Sequence, residues 1–304
     1  MIFQHPLAYL LGLEGLALLR AWAGDHDEAF VRARLDEVRR LTSDPALAEH
    51  PGVVVQRGDV STAYRQWAPF YDEPRNTLFD VDEPVVHRIL ASLLPTESQV
   101  ALDAACGTGR YAAHLVAQGL AVIGVDGTPE MLAAARVRVP GADFRSGDLA
   151  ALPVDDACVD LVVCGLALSH VPPSALGTVF AEMARVLRPG GHLVVSDTHA
   201  ELVVRGSVVK ALGPAGEPGL VATYRHSTGD HLRAALRAGL EVRGCEELSP
   251  PDRTGSAPPP PPPAPLESIG GWEDWPWSLL GVVPEAARSA WAGPSVIVWH
   301  FQRP

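Results

Sequence analysis

Basic residues are scarce in this chain of 304 residues. It has 24 lysines and arginines, very few of them lysine, against 36 acidic residues, so its formal net charge is −12. Nucleic-acid phosphates bind lysine and arginine, and anionic membrane surfaces attract the same residues. We therefore expect a small-molecule substrate and no nucleic-acid or membrane partner. A composition rich in Ala, Gly, Pro, Arg and Val but poor in Lys suggests a bacterial source with a GC-rich genome.

Cysteine is scarce as well, and its spacing is uninformative. The four cysteines form no C-x-x-C pair, so no metal site is predicted, and a reducing, cytoplasmic location fits best. No charge-free run of about 18 apolar residues occurs, so no membrane-spanning helix is expected. The apolar stretch from Leu7 to Leu19 contains Glu14 and lacks a basic start, so a signal peptide is not expected either.

Residues 1–60 are predicted to form an N-terminal helical extension followed by a linker. Apolar residues recur at helical spacing over 7–19 and 30–41, and Ser43-Asp-Pro45 should end the second helix. Residues 45–60 have the composition of a linker. The extension could pack against the main fold, form a homodimer interface or act as a lid over a substrate.

Between residues 100 and about 200 the chain alternates between strand and helix patterns, which predicts an α/β fold with a doubly wound, mostly parallel sheet. Val100–Gly109 is the most informative stretch, because a buried strand runs into Asp103 and a glycine turn follows at once. The glycines allow a sharp turn and a close ligand, and the next helix would present free N–H groups. A carboxylate at this point favours a ligand that carries a cationic amine.

Four further segments follow in order: Val122–Asp126, Gly147-Asp148-Leu149, Val159–Cys164 and Leu187–Asp197. Together with Val100–Gly109 they resemble the motifs of the class I S-adenosylmethionine-dependent methyltransferases, over roughly residues 60–245. The similarity is to the small-molecule type, such as the methyltransferases of ubiquinone and menaquinone biosynthesis. It implies a Rossmann-like, seven-stranded sheet of order 3-2-1-4-5-7-6 with strand seven antiparallel, in a domain over 61–304.

The resemblance implies S-adenosyl-L-methionine as cofactor and assigns three acids to it. Asp103 would bind the amino group directly or through water, Asp126 the ribose hydroxyls and Asp148 the adenine amino group. The remaining cofactor-binding candidates are Tyr71, Ala105, Gly107, Gly109, Gly127, Met131, Leu149 and Cys164.

The implied reaction is an in-line displacement that moves a methyl group to an oxygen or nitrogen nucleophile of a small metabolite. A hydroxyl acceptor must lose a proton, so a general base would help. His170 follows the fourth strand and His199 follows the fifth, and both are catalytic candidates. Tyr224 and His226 precede a late helix and are candidate substrate contacts.

A Pro/Trp-rich insertion is predicted at about 249–293, between the last two strands. Pro258–Pro263 should be polyproline II, and the tryptophans at 272, 275 and 277 could wall a pocket or cover the end of the sheet. Two alternative functions stay open at this point. Gly107–Ala112 also fits a loose dinucleotide-binding pattern, which would suit an NAD(P)-dependent oxidoreductase. The chain could also bind S-adenosylmethionine without methylating anything.

Overall fold

The computed structural model describes residues 1–73, 76–93, 99–213, 215–249 and 269–304. Its strands, in chain order, are β1 (Ile2–Gln4), β2 (Val53–Gly58), β3 (Val100–Ala104), β4 (Ala121–Asp126), β5 (Asp143–Ser146), β6 (Val159–Gly165), β7 (Leu187–Thr198), β8 (Val209–Leu212), β9 (Pro218–Val221), β10 (Glu241–Leu248) and β11 (Val296–Gln302). Its α-helices are α1 (Pro6–Trp22), α2 (Glu28–Ser43), α3 (Pro45–Ala48), α4 (Val60–Trp67), α5 (Phe79–Leu93), α6 (Arg110–Ala117), α7 (Pro129–Arg138), α8 (Leu176–Val186), α9 (Ala200–Val204), α10 (Thr228–Arg237), α11 (Trp277–Leu280) and α12 (Pro284–Trp291). None of these helices is long and apolar enough to cross a lipid bilayer.

The chain divides into two compact units. The larger unit comprises 59–203, 222–249 and 294–304, with the gaps given above. The smaller unit comprises 1–58 and the described parts of 204–221 and 251–293.

The larger unit is built on a seven-stranded sheet of order β10-β11-β7-β6-β3-β4-β5. Numbered within this sheet and taken from the other edge, that order is 3-2-1-4-5-7-6, as predicted. β11 runs antiparallel to both β7 and β10, and the other neighbouring pairs are parallel. The predicted fold class is therefore confirmed.

Local signals explain where the helices of this unit begin and end. Gly109 has φ +82° and precedes α6, so the chain turns at the position the sequence indicated. Ser227 and Asp230 form a capping box at the start of α10. Gly239, with φ +79°, follows the end of that helix.

The smaller unit has its own four-stranded sheet, in the order β1-β2-β9-β8. α1, α2 and the two helices after residue 276 pack with it around a core that includes Leu10, Leu13, Trp272 and Leu279. The two predicted N-terminal helices are present, and the second ends at Ser43 as expected.

Three expectations about local structure were wrong. The segment 45–60 is not simply a linker, because it contains α3 and β2, and β2 pairs with strands at both of its edges. Acids and a proline at Asp82-Glu-Pro84 predict the start of a helix there, but α5 begins at Phe79, with Pro84 inside its second turn. The sequence pattern predicts a strand from Leu240 to Cys245, but β10 continues to Leu248, because β11 pairs with it along this length.

The predicted polyproline run at 258–263 lies outside the described residues. Of the three tryptophans that follow it, Trp272 and Trp275 are buried in the core of the smaller unit, whereas Trp277 is 62% exposed.

Candidate functional site

A cavity of about 450 Å³ opens where β3, β4, β5 and β6 of the larger unit end. Parallel strands bring their carboxyl ends to one edge of a sheet, which is where α/β proteins bind ligands. Of the candidate residues from the sequence, those that line this cavity are Tyr71, Ala105, Gly107, Asp126, Gly127, Asp148, Leu149 and His170.

The turn after β3 forms one wall and takes an unusual backbone path. Ala105, Gly107 and Gly109 all have positive φ, at 59°, 52° and 82°. A Cβ at Gly107 would meet nothing within 4 Å, so that glycine is required by the turn and not by crowding. An added Cβ at Gly109 would lie 3.3 Å from that of Ala135, so this glycine also permits close helix packing.

Asp126, the last residue of β4, lies beside this turn. Its Oδ2 accepts a hydrogen bond from Gly107 N at 2.9 Å, and its Oδ1 accepts one from Thr128 N at 2.8 Å. Burial raises the pKa of Asp126, and these two backbone donors oppose that shift. Each carboxylate oxygen keeps a second lone pair, so the group can also accept two hydrogen bonds from a ligand diol.

Asp148 lies in the turn after β5, at the same edge of the sheet as Asp126. Its Oδ1 accepts a hydrogen bond from Ala150 N at 2.7 Å, which holds the carboxylate beside Leu149 at the cavity wall. An acceptor next to an apolar side chain suits a flat heterocycle that carries an amino group.

Tyr64 of α4 and His170 face the same cavity and contact each other. The Tyr64 hydroxyl lies 2.9 Å from His170 Nε2, and His170 Nδ1 lies 3.2 Å from the carbonyl oxygen of Ala222. Because a carbonyl only accepts, Nδ1 carries the hydrogen, and Tyr64 donates to Nε2.

This pair is uncharged at neutral pH. Burial lowers the pKa of His170, and burial raises the pKa of Tyr64 well above its usual range. Tyr71 packs beside Tyr64 with ring centroids 5.9 Å apart, and burial raises the pKa of Tyr71 to about 12. The sequence singled out Tyr71 but not Tyr64, because no local pattern shows which tyrosine contacts a histidine that is 106 residues away from Tyr64.

Four of the cofactor-binding candidates do not line the cavity. Asp103 is 1% exposed, and its Oδ2 accepts a hydrogen bond from Ala112 N at 2.8 Å, inside the first turn of α6. Burial raises the pKa of Asp103 to about 7. Gly109 forms the turn described above, and Met131 and Cys164 are fully buried.

His199, Tyr224 and His226 are also away from the cavity wall. His199 Nδ1 accepts from Glu201 N at 3.2 Å, and its Nε2 lies 3.4 Å from Glu247 Oε1. His226 is 2% exposed, and its Nε2 hydrogen bonds to the carbonyl oxygens of Leu168 and Val171, at 3.0 and 2.9 Å.

The backbone N–H of Tyr224 donates to Ser169 O at 2.7 Å. Tyr224 and His226 therefore hold the single turn of 3-10 helix, Leu168–His170, that carries His170.

Comparisons with known proteins agree with this geometry. A family model described as a methyltransferase domain matches residues 102–195. An uncharacterized methyltransferase of Synechocystis is 34% identical over 110 residues, which cover 36% of this chain and 52% of that protein. A demethylmenaquinone methyltransferase of Clavibacter sepedonicus is 33% identical over 168 residues, covering 52% of this chain and 67% of that protein. The chain spans about half the length, or less, of the first curated relatives it matches.

Among solved structures, the methyltransferase complexed with the Trm112 methyltransferase activator of Haloferax volcanii superposes with a TM-score of 0.55. It is 21% identical, and the match covers 81% of this chain and 100% of that one, which is a likeness of fold.

The residues at the cavity suit the cofactor of this family. Asp126 has free lone pairs for a ribose diol, and Asp148 with Leu149 can bind an adenine. The glycine turn leaves open space beside Gly107 for the rest of the molecule. The chain belongs to the class I S-adenosylmethionine-dependent methyltransferases, and S-adenosylmethionine is its cofactor.

Proposed function

We propose that the chain methylates an oxygen or nitrogen nucleophile of a small, largely apolar metabolite by in-line displacement. The observation that carries this proposal is the Tyr64–His170 pair, which lines the same cavity as Asp126 and Asp148. A pair that can take up a proton is useful to an acceptor that must lose one, as a hydroxyl must.

The cofactor, when bound, supplies an electrophilic methyl group on a sulfonium, which is a good leaving group. We assign the ribose to Asp126 and the adenine to Asp148 and Leu149, with Tyr71, Ala105, Gly107 and Gly127 completing the wall. Asp103 does not line the cavity, and its carboxylate accepts a hydrogen bond from Ala112 N. We therefore assign it an indirect contact with the amino group of the cofactor, through groups that it positions. The chain's main contribution is then to hold nucleophile, methyl and sulfur near a line.

The side of the cavity formed by the segment after β6 and by α8 favours an uncharged acceptor. No charged side chain occurs among the lining residues that follow β6 or belong to α8, namely Leu166, Ala167, His170, Val171, Pro172, Ala175 and Val179. An unpaired charge in such surroundings would lose its hydration without compensation.

The hydrogen bonds of the pair suggest a proton path. The Tyr64 hydroxyl can accept the proton of the acceptor while its own proton passes to His170 Nε2. The resulting imidazolium keeps its Nδ1–H bond to the Ala222 carbonyl, and tyrosine is regenerated without a free phenolate. His199 is not assigned a part in this path, because it does not line the cavity.

Membership of the methyltransferase family leaves no support for the oxidoreductase alternative. The other alternative, binding without methyl transfer, is separated from our proposal by an assay. S-adenosylhomocysteine release is measured with a panel of phenols, hydroxyquinones and amines, and each product is identified by mass spectrometry. Methylation at oxygen or nitrogen supports the proposal, whereas methylation at carbon, or tight cofactor binding with no product from any acceptor, contradicts it.

Tyr64→Phe and His170→Gln then test the proton path on the accepted substrate. We expect each variant to slow methyl transfer by roughly 100-fold or more, with cofactor affinity little changed. His199→Gln is the matched control and should retain the wild-type rate. Equal rates in all four proteins would remove the pair from the reaction.

Three further expectations belong to the proposal, and they concern the domain boundaries, the oligomeric state and the cellular location. We assign the methyltransferase domain to 61–304 with 1–60 as an N-terminal extension, and within that domain the described parts of 204–221 and 251–293 belong to the same compact unit as 1–58. The exposed Leu19 and Trp22, at 67% and 93%, are candidates for a homodimer contact at the end of α1, which light scattering would test. A cytoplasmic location is consistent with the four free cysteines.

A further inference from the structure

A second cavity, of about 220 Å³, lies wholly within the smaller unit. Its walls are mostly apolar and aromatic, with Tyr9 of α1, Val208, Trp275 and Leu279 among them. One ionisable amine, that of Lys210 in β8, also lines it. The methyl-transfer proposal uses none of these residues.

Lys210 is the only lysine in the 304-residue sequence. Its ammonium lies 4.3 Å from the centroid of the Trp272 ring, and its Nζ donates a hydrogen bond to the Trp272 carbonyl oxygen. Burial lowers the pKa of Lys210 to about 8, against the opposing effect of Asp274 and Glu273. At pH 7 the neutral, nucleophilic fraction is then roughly 200 times that of an ordinary lysine.

The polar groups around the cavity indicate what a ligand must offer. Trp275 is 5% exposed, and its Nε1, a donor only, has no hydrogen-bond partner in the described parts of the chain. Burial raises the pKa of Tyr9 to about 12, so its phenol stays protonated and can also donate. A ligand with an acceptor oxygen would therefore be stabilised here.

The charges nearby argue against an anionic ligand. Glu273 and Asp274 are close enough to act on the Lys210 amine, and their carboxylates would repel a ligand carboxylate. A neutral carbonyl compound with an apolar body meets all of these conditions. Its oxygen accepts hydrogen bonds, its body fills the aromatic cavity, and its carbon is the electrophile that a neutral amine attacks.

We propose that this cavity is a binding site for a small apolar aldehyde or ketone, which Lys210 holds as a Schiff base. The Nζ lone pair adds to the carbonyl carbon, and one amine proton moves to the oxygen to give a carbinolamine. Loss of that hydroxyl with the remaining amine proton, as water, leaves the imine. Oxidation state does not change, and water reverses the reaction.

The single lysine makes the test direct, since the N-terminal amine is the one other primary amine of the chain. The full-length protein is incubated at pH 7 with benzaldehyde and sodium cyanoborohydride, which reduces an imine to a stable secondary amine. Peptide mass mapping then locates the benzyl group. We expect labelling at Lys210 at least about tenfold faster than labelling of N-acetyl-lysine in the same tube, with a pH midpoint near 8. Equal rates, or labelling at the N-terminus alone, would overturn the proposal.

Two variants and two competitors sharpen the result. Lys210→Arg keeps the cation beside Trp272 and should take up no label at residue 210. Ala8→Leu places a larger side chain in the cavity wall from an exposed position of α1, and it should slow labelling by benzaldehyde while formaldehyde still reacts. Unchanged benzaldehyde labelling in Ala8→Leu would mean that the amine reacts outside the cavity.

Benzoate and benzyl alcohol serve as competitors of equal size. Stronger protection of Lys210 by benzoate would show that the cavity prefers anions, and the carbonyl assignment would fail. S-adenosylhomocysteine binding is measured in every variant. An unchanged affinity shows that the cofactor site of the larger unit is intact and separates the Lys210 site from the methyl-transfer site.

Discussion

The carboxylate of Asp126 accepts a hydrogen bond from the backbone N–H of Gly107 at 2.9 Å. This bond ties the end of β4 to the glycine turn after β3, and both residues line the larger cavity. One side chain therefore shapes the turn and also offers acceptor atoms to the cofactor. Asp103, at the end of the neighbouring strand, has a different position, because its carboxylate is directed into the start of α6.

Because Asp103 is buried in this way, we expect its carboxyl group to make the stability of the folded chain depend on pH. Its pKa is about 7 in the folded chain, against an ordinary value of 3.8 for an exposed aspartate, so the folded state binds the proton more tightly. The stability this provides is present in full below about pH 4 and is lost as the pH rises through 7.

Asp103→Asn keeps an oxygen acceptor for Ala112 N but cannot ionise. Relative to this variant, the wild type should lose about 3 kcal/mol of unfolding free energy between pH 5 and pH 8. Urea denaturation at the two pH values measures the difference. A constant difference would mean that Asp103 ionises in the fold as easily as in water.

The strand ends illustrate how far the sequence predicts the site. Spacings of 23 and 22 residues placed Asp103, Asp126 and Asp148 at or just after the ends of successive strands, and the sheet order followed from the family motifs. The pattern could not tell which of the three carboxylates face the cavity. That depends on the turn geometry, which directs Asp103 to a helix amide.

Long-range pairing was also beyond prediction. β2 and β9 pair although more than 150 residues separate them, and the sequence of neither strand indicates which strand it pairs with. The Tyr64–His170 contact could not be predicted from the sequence for the same reason, because it joins α4 to the distant turn after β6.

The lowered pKa of His170 predicts the pH profile of methyl transfer to a hydroxyl acceptor. The neutral imidazole is the form that can take a proton, and burial keeps the pKa below 6.5. The rate should be level at neutral and higher pH and should fall in the acidic range, as the base becomes protonated. Single-turnover rates with saturating cofactor test this, and a midpoint above pH 7 would exclude His170 as the base.

Ala175 allows the proposed acceptor side of the cavity to be tested without touching the cofactor side. It precedes α8 and lines the cavity beside Pro172 and Val179. Ala175→Phe should raise the acceptor KM by roughly tenfold through lost volume, with the Kd of S-adenosylhomocysteine unchanged. Weakened cofactor binding with a normal acceptor KM would place the acceptor elsewhere.

Asp82 is fully buried and binds three side chains. Its carboxylate accepts from Arg110 at 3.1 Å, from the Tyr111 hydroxyl at 2.6 Å and from Ser196 Oγ at 2.8 Å. Asp82→Ala should lower the unfolding free energy by about 3 kcal/mol, because it removes the buried acceptor of three side chains and leaves the largely buried Arg110 with Glu83 as its remaining carboxylate partner.

The control for Asp82 is an exposed ion pair. Glu241, with its side chain 52% exposed, pairs with Arg243, so Glu241→Ala should cost under about 1 kcal/mol. Similar losses in the two variants would show that the buried network contributes no more than a surface pair.

Cofactor binding at Asp126 is the most direct test of the account, and isothermal titration calorimetry with S-adenosylhomocysteine measures it. The wild type should bind, and Asp126→Asn should bind roughly 10- to 150-fold more weakly, since hydrogen bonds to a charged group are worth about 1.5–3 kcal/mol. Asp143→Asn, on the exposed start of β5, should match the wild type. No binding by the wild type, or equal affinity in all three proteins, would contradict the assignment of this cavity to the cofactor.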